Sequence, residues 1–281
     1  MLAPVDADVD DLSLERAAFD VTREGFDLFR AACLMGRVEG RAVDVQSCVE
    51  VVERWAGNIR VASGDVDDTR ARLLHHLFLD LRLGGEPAPA DDPADDPAAS
   101  FIDRALETRR GSPMALSLIT LAVAEAAGLP AFPVLLPDHT VTGVGRRESF
   151  LLIDAGAGGR LLSLDDVFAH TGIRTVEGLA EAITASTPER VLMRMLAGLH
   201  GCYLRRAERA PLVRVLSRML IFDPRNVGLW LQRAQVRLED ADFAGAASDL
   251  ESARSLPLVD DWLRVADDLA RRLEQLGSMP Q

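Results

Sequence analysis

One segment limits the possible folds of this chain more than any other. Residues 113–126, PMALSLITLAVAEA, read as a helix that is apolar on nearly every side. A helix of this kind must be buried on all faces, so the surrounding chain has to build a core around it. The preceding RGSP sequence predicts a break, in which Gly111 ends one helix, Ser112 caps the next and Pro113 occupies its first turn. The residues that fill its surfaces are Leu116, Leu118, Leu121, Ala122, Ala124 and Ala126.

The pattern changes after residue 128. The runs AFPVLLP, HTVTGVG and ESFLLIDA are short, apolar or alternating, and separated by turn residues, which predicts an antiparallel sheet. Residues 13–83 show helical spacing almost throughout, and Asp44 and Asp65 are placed to cap two of these helices. Ser163 with Asp166 predicts a capping box for a helix after the sheet. The fold class is therefore α+β, with a helical N-terminal region, a core that contains a small antiparallel sheet, and an all-α C-terminal module.

The last hundred residues return to helical spacing and contain a repeat. Residues 223–257 follow the tetratricopeptide pattern, in which small residues let two helices approach closely. Residues 190–224 fit the same frame more loosely, and residues 259–276 are predicted to cap the pair. The residues that carry the pattern are Trp230, Ala234, Ala246, Leu250, Ala253 and Pro257.

These patterns divide the chain into four parts. Residues 1–83 form an N-terminal helical region, and residues 84–99 form a flexible acidic loop rich in proline and alanine. Residues 100–186 form the core with the sheet, and residues 187–281 form the repeat-like helical module.

Composition excludes several classes of function. The chain has 44 acidic and 31 basic residues, a formal net charge of −13 and no concentrated basic face, so a nucleic-acid partner is not expected. It contains no lysine, which excludes Schiff-base chemistry and a phosphate-binding lysine loop. Cys33, Cys48 and Cys202 are isolated, and His75 and His76 diverge on a helix, so we expect no disulfide framework, no metal and no cofactor. No signal peptide and no membrane-spanning run is present, so a cytoplasmic location is expected.

Three blocks of sequence carry a resemblance to a known family. They are DDPAASFIDRALETRRGSPMALSLITLAVAEAAGLP at 95–130, LPDHTV at 136–141 and LLIDAGAGGRLLS at 151–163. With these blocks the chain resembles the SirB-type family of bacterial proteins, which join a transglutaminase-like domain to a short tetratricopeptide tail. The resemblance implies a papain-like core over residues 100–186.

The wider transglutaminase-like class works by a Cys, a His and an Asp, with the Cys at the start of a buried helix. The resemblance places the three positions at Pro113, His139 and Asp154, so proline stands where the thiol is expected. SirB-type proteins share this loss. The family usually has Gly before the His and Phe after it, where this chain has Asp138 and Thr140.

Several residues keep more than one interpretation. Ser112 is either the helix cap or a replacement nucleophile. His139 with Asp154 is a hydrogen-bonded strut between strands, part of a binding pocket, or the remainder of a catalytic site.

The candidate binding residues are equally open. Arg109 and Arg110 either form ion pairs with Asp103 or Glu107 or bind a ligand carboxylate. Trp230 is a candidate contact for a partner of the helical module.

We therefore favour a non-catalytic transglutaminase-like protein that acts as an interaction or regulatory scaffold and binds a protein or peptide through its repeat module. One alternative is a residual amide or ester hydrolase, or acyltransferase, that uses Ser112 or another nucleophile with His139 and Asp154. Another is a helper subunit whose pocket binds a small metabolite.

Overall fold

The computed structural model describes residue 16 and residues 18–60, 65–84, 96–137, 139–146, 149–173, 175, 177–178 and 183–277. The chain divides into two compact units. The sheet unit comprises residues 20–37 and 41–195, and the helical unit comprises 1–19, 38–40 and 196–281. Most of the loop predicted over 84–99 lies outside the described residues, and the four predicted domain boundaries remain predictions.

The helices that precede and cover the sheet are short and separated by tight connections. In chain order they are α1 (Leu28–Cys33), a 3-10 helix (Leu34–Glu39), α2 (Val45–Gly57), α3 (Val66–Leu74) continued by a π-helix (His75–Asp80), a 3-10 helix (Pro97–Ser100), α4 (Ile102–Thr108), α5 (Pro113–Ala126) and α6 (Leu164–Thr171).

Side-chain caps decide where several of these helices begin. Asp44 and Asp65 cap α2 and α3, as the sequence predicts, and Ser163 with Asp166 forms the predicted capping box of α6. The helical pattern read from residue 13 to residue 33 is wrong over 20–27, which form turns. Asp20 accepts hydrogen bonds from Thr22 there, and Asp27 starts a new helix at Leu28.

The sheet is antiparallel and has four strands in the order β1-β2-β3-β4, which confirms the predicted small antiparallel sheet. The strands are β1 (Ala131–Leu136), β2 (His139–Arg146), β3 (Ser149–Asp154) and β4 (Arg160–Leu162). Helix α5 packs on β1, β2 and β3 and is buried from Ala115 to Ala124, as its apolar surface predicts. Two bonds of 2.9 Å fix it to β2, because Ser117 Oγ donates to the Thr140 carbonyl and Thr142 Oγ1 donates to the Ser117 carbonyl.

The helical unit contains the end of α7 (Pro188–Arg205), followed by α8 (Arg209–Phe222), α9 (Val227–Glu239), α10 (Phe243–Arg254) and α11 (Asp260–Gly277). Small and branched side chains of the last three helices form one core cluster. Its buried members include Leu231, Ala234, Leu238, Ala246, Leu250, Ala253, Ala266 and Leu269. Among the described residues, no helix is long and apolar enough to cross a bilayer.

Candidate functional site

The site begins at the break between α4 and α5. Helix α4 ends at Thr108, and its C-cap is Arg109, whose backbone is left-handed (φ 60°), so the helix stops before Gly111, where the sequence predicted its end. Gly111 is needed for a different reason, because a Cβ there would lie 2.9 Å from the Ala99 carbonyl oxygen and 3.0 Å from the Ala105 Cβ. The break is therefore tightly packed against the preceding turn.

Ser112 and Pro113 start α5 in the predicted way. Ser112 is the N-cap, and its Oγ accepts a hydrogen bond from the backbone N–H of Ala115 at 3.2 Å. Pro113 occupies the first turn, where its missing N–H costs nothing. The Pro113 side chain is exposed. The start of this otherwise buried helix is thus open to solvent.

Pro113 lies directly against the loop that follows β3. A Cβ added to Gly156 would lie 3.0 Å from both the Cβ and the Cγ of Pro113, so a side chain there would push the two segments slightly apart. This contact brings the first turn of α5 next to the end of the strand that carries Asp154.

His139 and Asp154 form a close pair at the same end of the sheet. Strand β2 starts at His139, β3 ends at Asp154, and the antiparallel register pairs Thr142 with Ile153. Continuing that register places Asp154 opposite Val141, so His139 lies diagonally on the same face. The His139 Nε2 lies 2.8 Å from the Asp154 Oδ2.

Hydrogen bonding favours the charged form of Asp154 and outweighs the opposing effect of burial. Its side chain is 6% exposed and that of His139 is 18% exposed. Burial opposes ionisation of Asp154, but the bonds from His139 and from the backbone N–H groups of Ala157 and Gly156 outweigh it, so the pKa of this carboxyl lies below its ordinary value. The Ala157 N–H donates to Oδ1 at 3.0 Å. The carboxylate therefore holds the imidazole in a fixed position.

This arrangement could orient a general base, but the described serines and cysteines considered for it are engaged elsewhere or buried. Pro113 has no reactive group, Ser112 Oγ is engaged as a helix cap, and Ser117 Oγ is buried and bonded to the sheet. The three cysteines are buried, and they lie on α1, α2 and α7. The pair thus joins the start of β2 to the end of β3, with the His139 side chain 18% exposed.

The other sequence candidates are spread over both units. The expected ion pairs of Arg109 and Arg110 do not form, since Asp103 pairs with Arg41 and Glu107 pairs with Arg104. Trp230 belongs to the helical unit, where its Nε1 donates to the Pro224 carbonyl at 2.9 Å and its ring contacts the core cluster. These contacts fix the Trp230 ring within the helical unit, and its role in binding a partner stays a prediction.

Metal ligation finds no support in the part of the chain that the structure describes. It contains no group of three or more His, Cys, Asp or Glu side chains that could hold a metal ion. His75 and His76 both contact Asp80 instead, at 3.4 and 3.2 Å.

Sequence reasoning missed three residues around the site. Gly156 packs on Pro113, Gly84 packs on the carbonyl of Ala155, and Arg82 shares a cavity with Arg109 and Arg110. All three contacts join segments far apart in the chain. The only local signal was the glycine content of GAGGR and LGG, which indicates turns but not what the turns touch.

Comparison with known proteins places this region in a family. Residues 43–197 match the model of the transglutaminase-like superfamily. Two proteins called UPF0162, from two strains of Xylella fastidiosa, are similar over most of the chain. The one from strain 9a5c is 25% identical and covers 85% of this chain and 87% of its own length, and the one from strain Temecula1 is 24% identical with coverages of 82% and 84%.

A crystal structure of menin, which reveals its binding site for Mixed Lineage Leukemia protein, is the solved structure found. It is 9% identical, covers 86% of this chain and 69% of menin, and has a TM-score of 0.43. A score at this level does not establish a shared fold.

Proposed function

The chain belongs to the transglutaminase-like superfamily, and we propose that it is a non-catalytic member of the SirB type that acts in the cytoplasm as a protein-interaction or regulatory scaffold. The observation that carries the proposal is Pro113 at the exposed first turn of α5, beside Gly156 and the strand that ends at Asp154. A transglutaminase-like reaction needs a thiolate at this place to attack an amide. Proline cannot supply one.

The retained His139–Asp154 pair is compatible with this role. It joins the start of β2 to the end of β3 next to the buried helix, so it stabilises the sheet whether or not a reaction takes place. Loss of the nucleophile removes the chemistry but not the need for the strut.

The helical unit is the proposed docking module. Its helices α9 and α10 carry the tetratricopeptide-like pattern and share a core rich in alanine, and α11 packs on the same core. Helix α11 also exposes apolar side chains, among them Trp262 at 41%, Leu263 at 43% and Val265 at 40%. Repeat modules with such surfaces hold peptide segments, so we propose a protein or peptide partner here.

Acyl-transfer assays test the absence of catalysis. We expect the native protein and His139→Ala to give the same background rates with a p-nitrophenyl ester and with a glutamine peptide plus a primary amine. Turnover by the native protein that disappears in His139→Ala would contradict the proposal.

Site-specific photo-crosslinking tests the docking role. A photo-reactive phenylalanine analogue at Trp262 is expected to capture one defined protein in cells, while the same group at Glu274, also exposed on α11, does not. Equal products from both positions, or none from Trp262, would argue against a partner on this helix.

A residual hydrolase is the second candidate, and the 2.8 Å contact between His139 and Asp154 favours it. In that case Ser112 would have to give up its cap and act as nucleophile. Turnover would then be lost in both Ser112→Ala and His139→Ala, and a Ser112→Thr variant, which keeps a hydroxyl and a cap, would retain part of it.

A further inference from the structure

An open cavity of about 900 Å³ lies in the sheet unit beside the break between α4 and α5. It is lined by residues 78–83, by Thr108, Arg109 and Arg110, and by Gly158. Three separate segments therefore form its walls. We call it the arginine groove.

Three arginines line the groove. Arg82, Arg109 and Arg110 are all exposed, and none of these side chains forms an ion pair or hydrogen bond with another described residue. Many other arginines of the sheet unit are engaged, for example Arg41 by Asp103 and Arg104 by Glu107. Positive charge is thus left available here in a chain whose net charge is −13.

The backbone at two of these arginines is unusual. Arg82 and Arg109 are left-handed, with φ of 53° and 60°, a conformation in which glycine is unstrained and other residues are not. Two hydrogen bonds hold the strained segments, from Gly84 N–H to the Arg109 carbonyl at 2.9 Å and from Leu83 N–H to the Leu77 carbonyl at 2.8 Å. These bonds fix the two segments that carry Arg82 and Arg109 into the lining of the groove.

The rest of the groove is largely apolar. Leu79 is 66% exposed, and the ring of Phe78 lies so close to Gly159 that a Cβ there would come within 2.2 Å of it. The carboxylate of Asp80 is the acidic group in the lining, and the ring nitrogens of His75 and His76 contact it. An occupant can therefore meet guanidinium groups and apolar side chains in one cavity.

We propose that the arginine groove binds a small molecule in which a doubly charged oxyanion group, such as a phosphate monoester, is attached to an apolar body. One planar guanidinium group can donate two parallel hydrogen bonds to two oxygens of such a group. The volume of the cavity is in the range of small-molecule binding sites. The site is in the sheet unit and does not depend on whether the helical unit binds a protein.

Binding of phenyl phosphate to the full chain tests the proposal by isothermal titration calorimetry. We expect one saturable site, and affinity on the order of ten-fold weaker in Arg82→Gln, Arg109→Gln and Arg110→Gln, since each loses a charge-assisted bond. Arg54→Gln is the matched control, because Arg54 is an exposed arginine of α2 outside the groove, and its affinity should not change. Thermal melts of every variant show whether it is folded.

The contribution of the apolar side chains is tested by comparing phenyl phosphate with inorganic phosphate. The native chain should bind phenyl phosphate more tightly than inorganic phosphate. Leu79→Ser should weaken the binding of phenyl phosphate several-fold and leave the affinity for inorganic phosphate unchanged. Absence of saturable phenyl phosphate binding, or the same affinity in the folded groove variants and in Arg54→Gln, would overturn the proposal.

Discussion

Two arginine clusters in this molecule are built in opposite ways. In the helical unit Arg233 and Arg237 both bind Asp249, whose side chain is only 1% exposed. The distances are 2.6 to 3.1 Å, and Arg233 also donates to Ser217 Oγ at 2.8 Å. In the sheet unit the arginine groove leaves three guanidinium groups exposed, without an ion pair to any described residue.

The difference separates a structural use of arginine from a binding use. A buried charge must be matched within the protein, because its lost hydration is otherwise uncompensated. An exposed guanidinium keeps its hydration and can exchange it for a ligand at little cost to the fold. Removing one member of each cluster should therefore affect stability in the first case and binding in the second.

The largest expected effect is on the buried cluster. Asp249→Ala should lower the free energy of unfolding by about 3–5 kcal/mol, since it leaves Arg233 charged, buried and unpaired. Asp267→Ala is the matched control, because its pair with Arg254 is exposed and should contribute no more than about 1 kcal/mol. Urea unfolding measures the loss of unfolding free energy in each variant. Equal losses would show that the buried ion pair stabilises the fold no more than the exposed one.

The next effect concerns the backbone that frames the groove. Gly84 has a φ of 76°, and a Cβ there would lie 2.4 Å from the Ala155 carbonyl oxygen, so Gly84→Ala should destabilise by about 2–4 kcal/mol through strain and overlap together. Gly128→Ala is the control that introduces only backbone strain, since φ is 87° and nothing lies within 4 Å of the added Cβ. It should cost about 1–2 kcal/mol. A similar loss in both variants would mean that the contact to Ala155 is not tight.

The His139–Asp154 pair is intermediate between the two clusters, because it is paired but has an exposed edge. Asp154→Asn should lower the free energy of unfolding by about 1–3 kcal/mol at neutral pH. Since the folded pKa of Asp154 is lowered, its contribution is complete above the ordinary carboxyl value of about 3.9 and is lost as pH falls below that value. The difference between native protein and variant should therefore shrink towards pH 2, and a constant difference in acid would contradict this.

The smallest expected effect separates the backbone strain at Arg109 from the role of its side chain in binding. Arg109→Gly should raise the free energy of unfolding by up to about 1 kcal/mol by relieving the left-handed residue, while it weakens phenyl phosphate binding. Ala241→Gly in the helical unit relieves a similar φ of 60° and should stabilise without changing binding. Unchanged binding in Arg109→Gly would remove that residue from the groove's function.

Local patterns predicted much of this architecture. The all-round apolar surface of α5, the cap at Ser112, the caps at Asp44 and Asp65 and the alternation of the strands are each visible within a short window of sequence. Local preference also misled. Gly111 was predicted to end α4, but the helix ends at Thr108 with Arg109 as its left-handed cap, and Ala99 and Ala105 pack where a Gly111 side chain would lie.

Long-range contacts account for what the sequence did not predict. The groove combines residues 78–83, 108–110 and 158, and the bond from Arg233 to Asp249 joins two helices across sixteen residues. The repeat pattern predicted the small residues of α9 and α10 but not the ion pair between Arg233 and Asp249 that joins these helices. Tertiary packing decides such pairings, and one sequence contains no direct signal for them.

The most direct test of the central claim, that proline has replaced the nucleophile, is covalent labelling of the native chain. After treatment with a fluorophosphonate and, separately, with iodoacetamide, intact-mass spectrometry should find the protein unmodified, because Ser112 is engaged as a cap and the three cysteines are buried. A stoichiometric adduct on a single serine or cysteine that is absent in His139→Ala would contradict the account.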